Sequence, residues 1–173
     1  NYSPMKSKDE IINGAISAYN NGAYRYCMVF SGKKLNKETL TKICEINCEI
    51  KKKVKINTCV SAGFLTEETA LLLKTAGVDR YNHNLNTSAE KYSDICSTHN
   101  FSERIATLRA AKNAGLELCS GVIIGLGETN NDIISILTEL KNLQVSSVPI
   151  NFFIPINNHR INKANKLTPI YCL

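Results

Sequence analysis

The sequence predicts an α/β fold in which parallel β-strands alternate with α-helices. Two observations favour this class: helical and strand patterns alternate along the whole chain, and the connections between them are only a few residues long. Such alternation requires parallel strands joined by right-handed crossover helices. Both the doubly wound open sheet and the (β/α)8 barrel meet this requirement, so the alternation alone leaves two architectures open.

Local signals place each element in turn. Ser7 and Glu10 have the spacing of a capping box and open the first helix, and Gly22 follows its end. Asn36 caps the second helix, and Thr66 opens the third with two glutamates in its first turn. The predicted helices cover 7–21, 36–52, 66–77, 89–95, 102–114 and 130–143. The predicted strands cover 24–30, 55–61, 80–85, 116–125 and 148–154.

Composition limits the class of protein. The chain has 173 residues, of which 43% are hydrophobic, and a net charge of +6, which is typical of one globular domain, here residues 1–173. Seven cysteines, an odd number, and a polar start without an apolar targeting segment favour a reducing compartment, the cytoplasm. The longest apolar stretch, 147–156, contains two prolines and is shorter than the roughly 20 residues that a membrane helix needs. We therefore predict no membrane-spanning segment.

Two basic clusters could indicate a phosphate-binding surface. No aromatic residues interleave with these lysines and the surrounding pattern is helical, so we interpret them as solvent-exposed and predict no nucleic-acid partner. The clusters consist of Lys33, Lys34 and Lys37, and of Lys51, Lys52, Lys53 and Lys55.

Three predicted strands carry a cysteine: Cys27, Cys59 and Cys119. A single buried cysteine is usually a small hydrophobe, but inward residues of neighbouring strands in a barrel form layers, so three thiols could face one point. Soft thiolates favour an iron–sulfur cluster or zinc, although a two-iron cluster needs a fourth ligand. We interpret Cys44 and Cys48, four residues apart on a helix, as ordinary helix positions.

Asparagines cluster at the end of the third predicted strand. Asn82, Asn84 and Asn86 surround His83, and Asn151 lies in the fifth strand. A carboxamide both donates and accepts, which suits a urea ring, a ribose or an adenine edge, whereas an asparagine-rich turn is the alternative. His83 alternates away from its neighbours, so we expect it to face the surrounding helices and assign it no catalysis. The glycine-rich segment 125–128 predicts a tight turn near a small ligand, or a weak phosphate cradle.

Together these segments resemble the biotin synthase family of radical S-adenosylmethionine (SAM) enzymes. The resemblance rests on the stretches GAYRYCMVFSG, INTCVSAGFLTEE, YNHNLNTS, CSGVIIGLGET and SVPINFFIPI, in family order and at family spacing. It implies a partial (β/α)8 barrel of the TIM type with about five parallel strands. It also implies a sulfurtransferase reaction, in which SAM is cleaved reductively to a 5′-deoxyadenosyl radical, hydrogen is abstracted from dethiobiotin, and sulfur is inserted to form biotin.

The resemblance also implies a role for particular positions. Cys27, Cys59 and Cys119 match the ligands of the family's two-iron two-sulfur (2Fe-2S) cluster, the proposed sulfur donor. Asn84, Asn86 and Arg104 match positions that contact SAM, and Asn82, Asn84 and Asn151 match positions that bind the ureido ring of dethiobiotin. Many relatives carry an acidic residue at the position of Asn86, so here the ribose contact would lack charge assistance.

The departures from the family are equally specific. The CxxxCxxC motif that holds the four-iron four-sulfur (4Fe-4S) cluster is not in this sequence, and the family's fourth 2Fe-2S ligand, an arginine, matches a position beyond Leu173. We therefore expect an internal fragment that cannot start the radical chemistry alone. The alternative is a non-catalytic remnant that binds only a metal or a small ligand. The family further implies an external electron donor, such as flavodoxin or ferredoxin, and a homodimer.

Overall fold

The structure, a computed structural model, describes residues 6–32, 35–155 and 167–172. Its helices are α1 (Lys8–Asn20), α2 (Lys37–Lys53), α3 (Glu67–Thr75), α4 (Ala89–Ile95), α5 (Phe101–Asn113), α6 (Asn130–Asn142) and α7 (Pro169–Cys172). Its strands are β1 (Arg25–Val29), β2 (Asn57–Ser61), β3 (Arg80–Asn82), β4 (Glu117–Cys119), β5 (Val122–Ile124) and β6 (Ile150–Phe152). Of the basic clusters, Lys33 and Lys34 lie outside the described residues.

The strands form a four-stranded sheet in the order β1-β2-β3-β4 and a two-stranded sheet of β5 and β6. β1 pairs in parallel with β2, β2 with β3, and β5 with β6. Helices separate β1 from β2, β2 from β3, β3 from β4, and β5 from β6. The predicted α/β class with parallel strands is therefore confirmed.

Helix starts follow the capping signals in the sequence. Ser7 Oγ accepts from Glu10 N at 3.3 Å while Ser7 N donates to Glu10 Oε2 at 2.7 Å, which is the predicted capping box. α5 begins at Phe101, one residue before the prediction, because Asn100 and Glu103 form the same reciprocal pair, with both contacts at 2.9 Å. Side-chain caps of this kind satisfy N–H groups that the first helical turn leaves without partners.

The chain divides into two compact units. The first consists of Asn1–Asn82 with Ala106–Leu118, and the second of His83–Ile105 with Cys119–Leu173. The core of the first unit is aliphatic and includes one aromatic ring. Its fully buried side chains include Ile43, Ile46, Ile50, Val60, Leu73 and Tyr81. The hydroxyl of Tyr81 is satisfied in this core, since it donates to Gly63 O at 2.7 Å and accepts from Ala62 N at 3.2 Å.

Two carboxylates tie the strands of the first unit together. Glu117 Oε2 accepts from Arg25 Nη2 at 2.9 Å and from Arg80 Nε at 3.0 Å, so that it links β1, β3 and β4. Asp79 Oδ2 accepts from Lys51 Nζ and from Thr58 N, both at 2.6 Å. The second carboxylate therefore connects helix α2 to the start of β2.

The strand predicted over 116–125 is two strands, β4 and β5, so that prediction is wrong in its continuity. Ser120 Oγ accepts from Leu85 N at 3.1 Å, and Gly121 N donates to Asn84 Oδ1 at 2.9 Å. These bonds draw the middle of the segment toward the loop after β3. A Cβ at Gly121 would lie 2.4 Å from Pro149 O, so only glycine allows this close approach.

β6 is exposed along its length in the second unit. Ile150 is 55% exposed and Phe152 is 40% exposed, and Ile154 beyond the strand is 80% exposed. None of the helices in the described part of the chain is long and apolar enough to cross a membrane.

Candidate functional site

Two of the three predicted cluster cysteines lie side by side in the first unit. Cys27 and Cys59 are register partners on the parallel strands β1 and β2. Adjacent strands lie about 4.8 Å apart, and register partners project from the same face of a sheet, so both thiols share one face. Cys59 is 3% exposed, whereas Cys27 is exposed.

The donors in this pair fit an iron–sulfur cluster, because such clusters are held by thiolates at short mutual distance. The third predicted ligand, Cys119, is the last residue of β4 and belongs to the second unit. All seven cysteines are among the described residues, and none forms a disulfide. Within either unit taken alone, the described residues contain no group of three His, Cys, Asp or Glu side chains placed to hold a metal. The three-cysteine ligand set therefore stays a prediction.

Cys44 and Cys48 on α2 contact backbone carbonyls near the end of α3. Cys44 Sγ lies 3.7 Å from Leu72 O, and Cys48 Sγ lies 3.6 Å from Ala76 O. Burial raises the pKa of Cys44, and the neighbouring Cys48 and Glu45 raise it further. A protonated thiol that donates to a carbonyl is a structural group, which agrees with the interpretation of both residues as ordinary helix positions.

Most of the predicted ligand-binding residues lie in the second unit, around one glycine. Gly121 N donates to Asn84 Oδ1 at 2.9 Å, and Gly121 O accepts from Asn86 N at 3.0 Å. Asn86 O in turn accepts from Ile123 N at 2.7 Å, and Ile123 is the register partner of Asn151. The loop after β3 is thus fastened to β5, and β5 to the strand that carries Asn151.

Asn86 adopts a left-handed backbone conformation, with φ of 72°. Outside glycine, this conformation is most accessible to asparagine and aspartate. Backbone bonds on both sides hold the residue in this conformation. The asparagine-rich segment therefore bends at its end, at 86–87, and the carboxamide of Asn84 within it is fixed by Gly121 N.

Arg104 on α5 reaches back to the same loop. Its Nη1 donates to Asn84 O at 2.5 Å, its Nη2 donates to His99 Nε2 at 2.8 Å, and its Nε donates to Tyr92 Oη. The guanidinium also lies 5.7 Å from the centroid of the Tyr92 ring. The structure thus joins Arg104 to Asn84, two of the residues predicted to bind SAM.

His83 is buried next to these groups. Burial is the main cause that lowers its pKa to about 3, and the neighbouring Arg104 and His99 also contribute. The ring therefore remains neutral at physiological pH. His83 lies near Arg104 on α5 and near His99, and the expectation that it faces the surrounding helices stays a prediction.

The other predicted substrate residues lie at strands. Asn82 is the last residue of β3 and is half-buried in the first unit, and Asn151 is exposed in the middle of β6 in the second.

The turn at 125–128 closes on itself, because Gly125 N donates to Glu128 Oε1 at 2.7 Å. A buried carboxylate at this place disfavours a phosphate, so the tight-turn interpretation is the better one.

Sequence reasoning missed Tyr92, His99 and Gly121 as parts of this site. In the sequence, Tyr92 occupies an apolar position of a short predicted helix, and His99 lies in a polar connection between two predicted helices. The spacing of Tyr92 and Arg104 gives no sign of their contact, because each lies on a different helix. The one sequence feature that points to Gly121 is the Ser120-Gly121 dipeptide, which interrupts an apolar run.

Comparison with known sequences places these residues in context. The sequence model of the Radical SAM superfamily matches residues 1–140. The biotin synthase of Leptospira biflexa serovar Patoc (strain Patoc 1 / Ames) is 50% identical over 169 residues, which cover 98% of this chain and 48% of that protein. The biotin synthase of Acaryochloris marina (strain MBIC 11017) is 51% identical over 170 residues, which cover 98% of this chain and 49% of that protein. The chain spans about half the length of the curated relatives it matches.

Solved structures share the fold at low sequence identity. Methylornithine synthase (PylB) superposes with a TM-score of 0.81 at 17% identity, over 94% of this chain and 50% of that one. The hydrogenase maturase HydG from Carboxydothermus hydrogenoformans superposes with a TM-score of 0.75 at 20% identity, over 95% of this chain and 40% of that one. These similarities confirm the predicted partial (β/α)8 barrel class.

Proposed function

Since this chain belongs to the radical SAM superfamily, we propose that the protein that carries it is a biotin synthase, a sulfurtransferase that inserts sulfur into dethiobiotin to form biotin. One observation carries the proposal. About half of the residues are identical to those of biotin synthases over 98% of the chain.

The second unit binds SAM in this proposal. Arg104 pairs with the carboxylate of the ligand, because a guanidinium can donate two parallel hydrogen bonds to a carboxylate. Asn86 holds the ribose hydroxyls of SAM. Asn84, in the loop after β3, contacts both SAM and dethiobiotin. The hydrogen bonds that fix this loop to Gly121 support the assignment, since a preorganised site loses little entropy when a ligand binds.

Dethiobiotin binds through amides in the proposal. Its ureido ring presents both donors and acceptors, which the carboxamides of Asn82, Asn84 and Asn151 can match. The role of these residues is to orient the substrate. Asn151 is exposed on β6, where its side chain is accessible to a ligand.

Cys27, Cys59 and Cys119 hold the 2Fe-2S cluster in the proposal, and the bound cluster supplies the sulfur atom. The register pairing of Cys27 with Cys59 supports two of these ligands. The residues present do not fit a 4Fe-4S cluster of the radical SAM type, because the chain has no CxxxCxxC motif. We therefore propose that the chain by itself does not cleave SAM. Formation of 5′-deoxyadenosine by the purified 173-residue chain with dithionite would contradict this part of the proposal.

The remaining features of the proposal come from the family. The chain forms one incomplete barrel domain, residues 1–173, of a cytoplasmic protein. The full-length enzyme is a homodimer that receives electrons from a flavodoxin or a ferredoxin. Sedimentation of the purified enzyme tests the dimer, and reconstitution of turnover with each reduced donor tests the electron source.

The cluster assignment is tested in the full-length protein, reconstituted anaerobically with iron and sulfide. We expect Cys27→Ala, Cys59→Ala and Cys119→Ala each to remove the visible absorption of the 2Fe-2S cluster and to abolish biotin formation. Cys44→Ala and Cys48→Ala are matched controls and should retain both. Unchanged absorption and iron content in all three variants would show that these cysteines are not the ligands.

The substrate assignment has a separate test. Asn151→Ala should raise the KM for dethiobiotin about tenfold, because the substrate loses a hydrogen bond to a positioned amide. Asn131→Ala, at an exposed position on α6, is the control. Equal KM values in the two variants would remove Asn151 from the substrate site.

A further inference from the structure

Three acceptors surround the guanidinium of Arg104 in the second unit. Nε donates to Tyr92 Oη, Nη1 donates to Asn84 O, and Nη2 donates to His99 Nε2. A guanidinium has five N–H donors in a rigid planar fork. These three contacts use one N–H on each nitrogen, which leaves one N–H on each of the two terminal nitrogens for a ligand.

We infer that Tyr92 and His99 are positioning residues that direct the two terminal nitrogens of Arg104 toward the carboxylate of SAM. The inference rests on the proposed function, in which Arg104 binds that carboxylate. A carboxylate can approach a guanidinium across Nε and one terminal nitrogen, or across both terminal nitrogens. The contact with Tyr92 occupies Nε, so the carboxylate approaches the two terminal nitrogens.

The contact with Arg104 fixes the tautomer of His99. Arginine cannot accept a hydrogen bond, so His99 Nε2 must be the acceptor and carries no proton. The ring proton then lies on Nδ1, which is 2.9 Å from Thr98 Oγ1 and donates to it. A second proton on the ring would place N–H against N–H and one positive charge against another. Protonation of His99 therefore breaks its bond to Arg104.

Tyr92 is a fixed, neutral acceptor. It is 3% exposed, and its ring packs edge-on against Phe101 with the ring centroids 5.7 Å apart. Burial raises the pKa of Tyr92, although Arg104 acts in the opposite direction, so the phenol keeps its proton. The phenol oxygen thus accepts from Arg104 Nε as a neutral group at a fixed position.

The contacts of His99 among the described residues include four groups that could influence its protonation. Arg104 lies on α5, and the Tyr92 ring on α4 is 5.9 Å away between centroids. Cys96, at the C-terminal end of α4, has its Sγ 3.5 Å from both ring nitrogens of His99. The fourth group, His83, does not gain a proton near neutral pH, because burial and the nearby charges lower its pKa to about 3. Burial raises the pKa of the Cys96 thiol, but hydrogen bonds to Thr98 and His99 outweigh burial, so this pKa lies below its usual value. Because Cys96 is unchanged in His99→Gln, comparison of that variant with the wild type isolates the protonation of His99.

The test measures the Kd of SAM by isothermal titration calorimetry on the full-length protein with its clusters intact, under anaerobic conditions and without reductant. We expect Tyr92→Phe and His99→Ala each to weaken binding about tenfold, the loss that follows from one fewer hydrogen bond to a charged group. Tyr19→Phe, at an exposed position on α1, should bind like the wild type.

His99→Gln gives a readout that a merely structural role would not change. Its side-chain oxygen can replace Nε2 as an acceptor but does not titrate, so binding at pH 8 should stay within about twofold of the wild type. The wild type should bind more weakly as the pH falls from about 8 toward the acidic side of the usual histidine range, because the positive charge of Arg104 opposes protonation of His99. His99→Gln should lack this loss, apart from the part that both proteins share through titration of the ligand.

Arg104→Ala separates failure of the inference from failure of the proposed function. If Arg104→Ala abolishes binding while Tyr92→Phe and His99→Ala bind like the wild type, Arg104 needs no positioning and the inference is wrong. If Arg104→Ala leaves the Kd unchanged, the proposed SAM site itself is wrong. Identical pH profiles for the wild type and His99→Gln would overturn the role of His99 even if Tyr92→Phe failed to fold.

Discussion

Replacement of Asp79 by alanine should lower the free energy of unfolding by about 2 to 3 kcal/mol. Asp79 Oδ2 accepts from Lys51 Nζ and from Thr58 N, both at 2.6 Å. The ion pair contributes about 1 kcal/mol, because the side chains of Lys51 and Asp79 are 28% and 32% exposed and water screens them. The bond to Thr58 adds about 1 to 2 kcal/mol, because Thr58 is fully buried and its N–H would lose its partner.

The effect should depend on pH. Burial raises the pKa of Asp79, but the hydrogen bonds from Lys51 and Thr58 outweigh burial, so its pKa lies below the usual 3.8. A carboxylate with a lowered pKa stabilises the fold above its unfolded pKa, and this contribution is lost as the pH falls through the folded value. The difference between the wild type and Asp79→Ala should therefore be constant above about pH 5 and shrink in acid.

Urea unfolding of the full-length protein, followed by circular dichroism at several pH values, measures this difference. The control is Lys42→Ala, which removes an ion pair between side chains 51% and 75% exposed and should cost only about 0.3 to 0.5 kcal/mol. If Asp79→Ala cost no more than this control, or if its effect grew as the pH fell, the account of this carboxylate would be wrong.

Three further predictions concern stability in the same assay. Gly121→Ala should cost about 2 to 3 kcal/mol, because its Cβ would lie 2.4 Å from Pro149 O, and a cost below about 0.5 kcal/mol would contradict the steric argument. Glu117→Gln should cost about 1 to 2 kcal/mol, and more at low salt, because Arg25 and Arg80 lose a shared carboxylate. A salt-independent loss would point away from charge. Ser120→Ala should cost about 1 to 2 kcal/mol by removing the acceptor for the buried Leu85 N, while Ser120→Thr, which keeps a hydroxyl, should recover part of the loss.

Local signals in the sequence were sufficient to predict the helices and the parallel strands. Ser7, Asn36 and Thr66 each begin a helix through their own side chains, so the information lies within four residues of each boundary. The division of the segment at 116–125 could not be read in this way. It depends on Asn84, which is 37 residues away from Gly121 in sequence. The hydrophobic pattern of a sequence indicates which residues are buried. It does not indicate which backbone groups a distant side chain will bind.

The candidate site shows the same limit. Cys27 and Cys59 could be paired from the sequence because parallel strands of similar length place their middles side by side. The contacts of Arg104 with Tyr92 and His99 depend on how α4, α5 and their connection pack, which no periodicity specifies. The kind of chemistry that each residue can perform could thus be predicted from the sequence. The hydrogen-bond partners of each residue could be identified only from the three-dimensional structure.

The left-handed backbone at Asn86 restricts which mutations this position can accept. With φ of 72°, a branched side chain would strain the loop, so glycine, asparagine and aspartate are the residues that fit with the least strain. Asparagine and aspartate codons differ by one nucleotide, and the two side chains have nearly the same shape. A single point mutation can therefore add or remove a negative charge at this position without reshaping the loop. The electrostatics of the position can change during evolution while the architecture around it is retained.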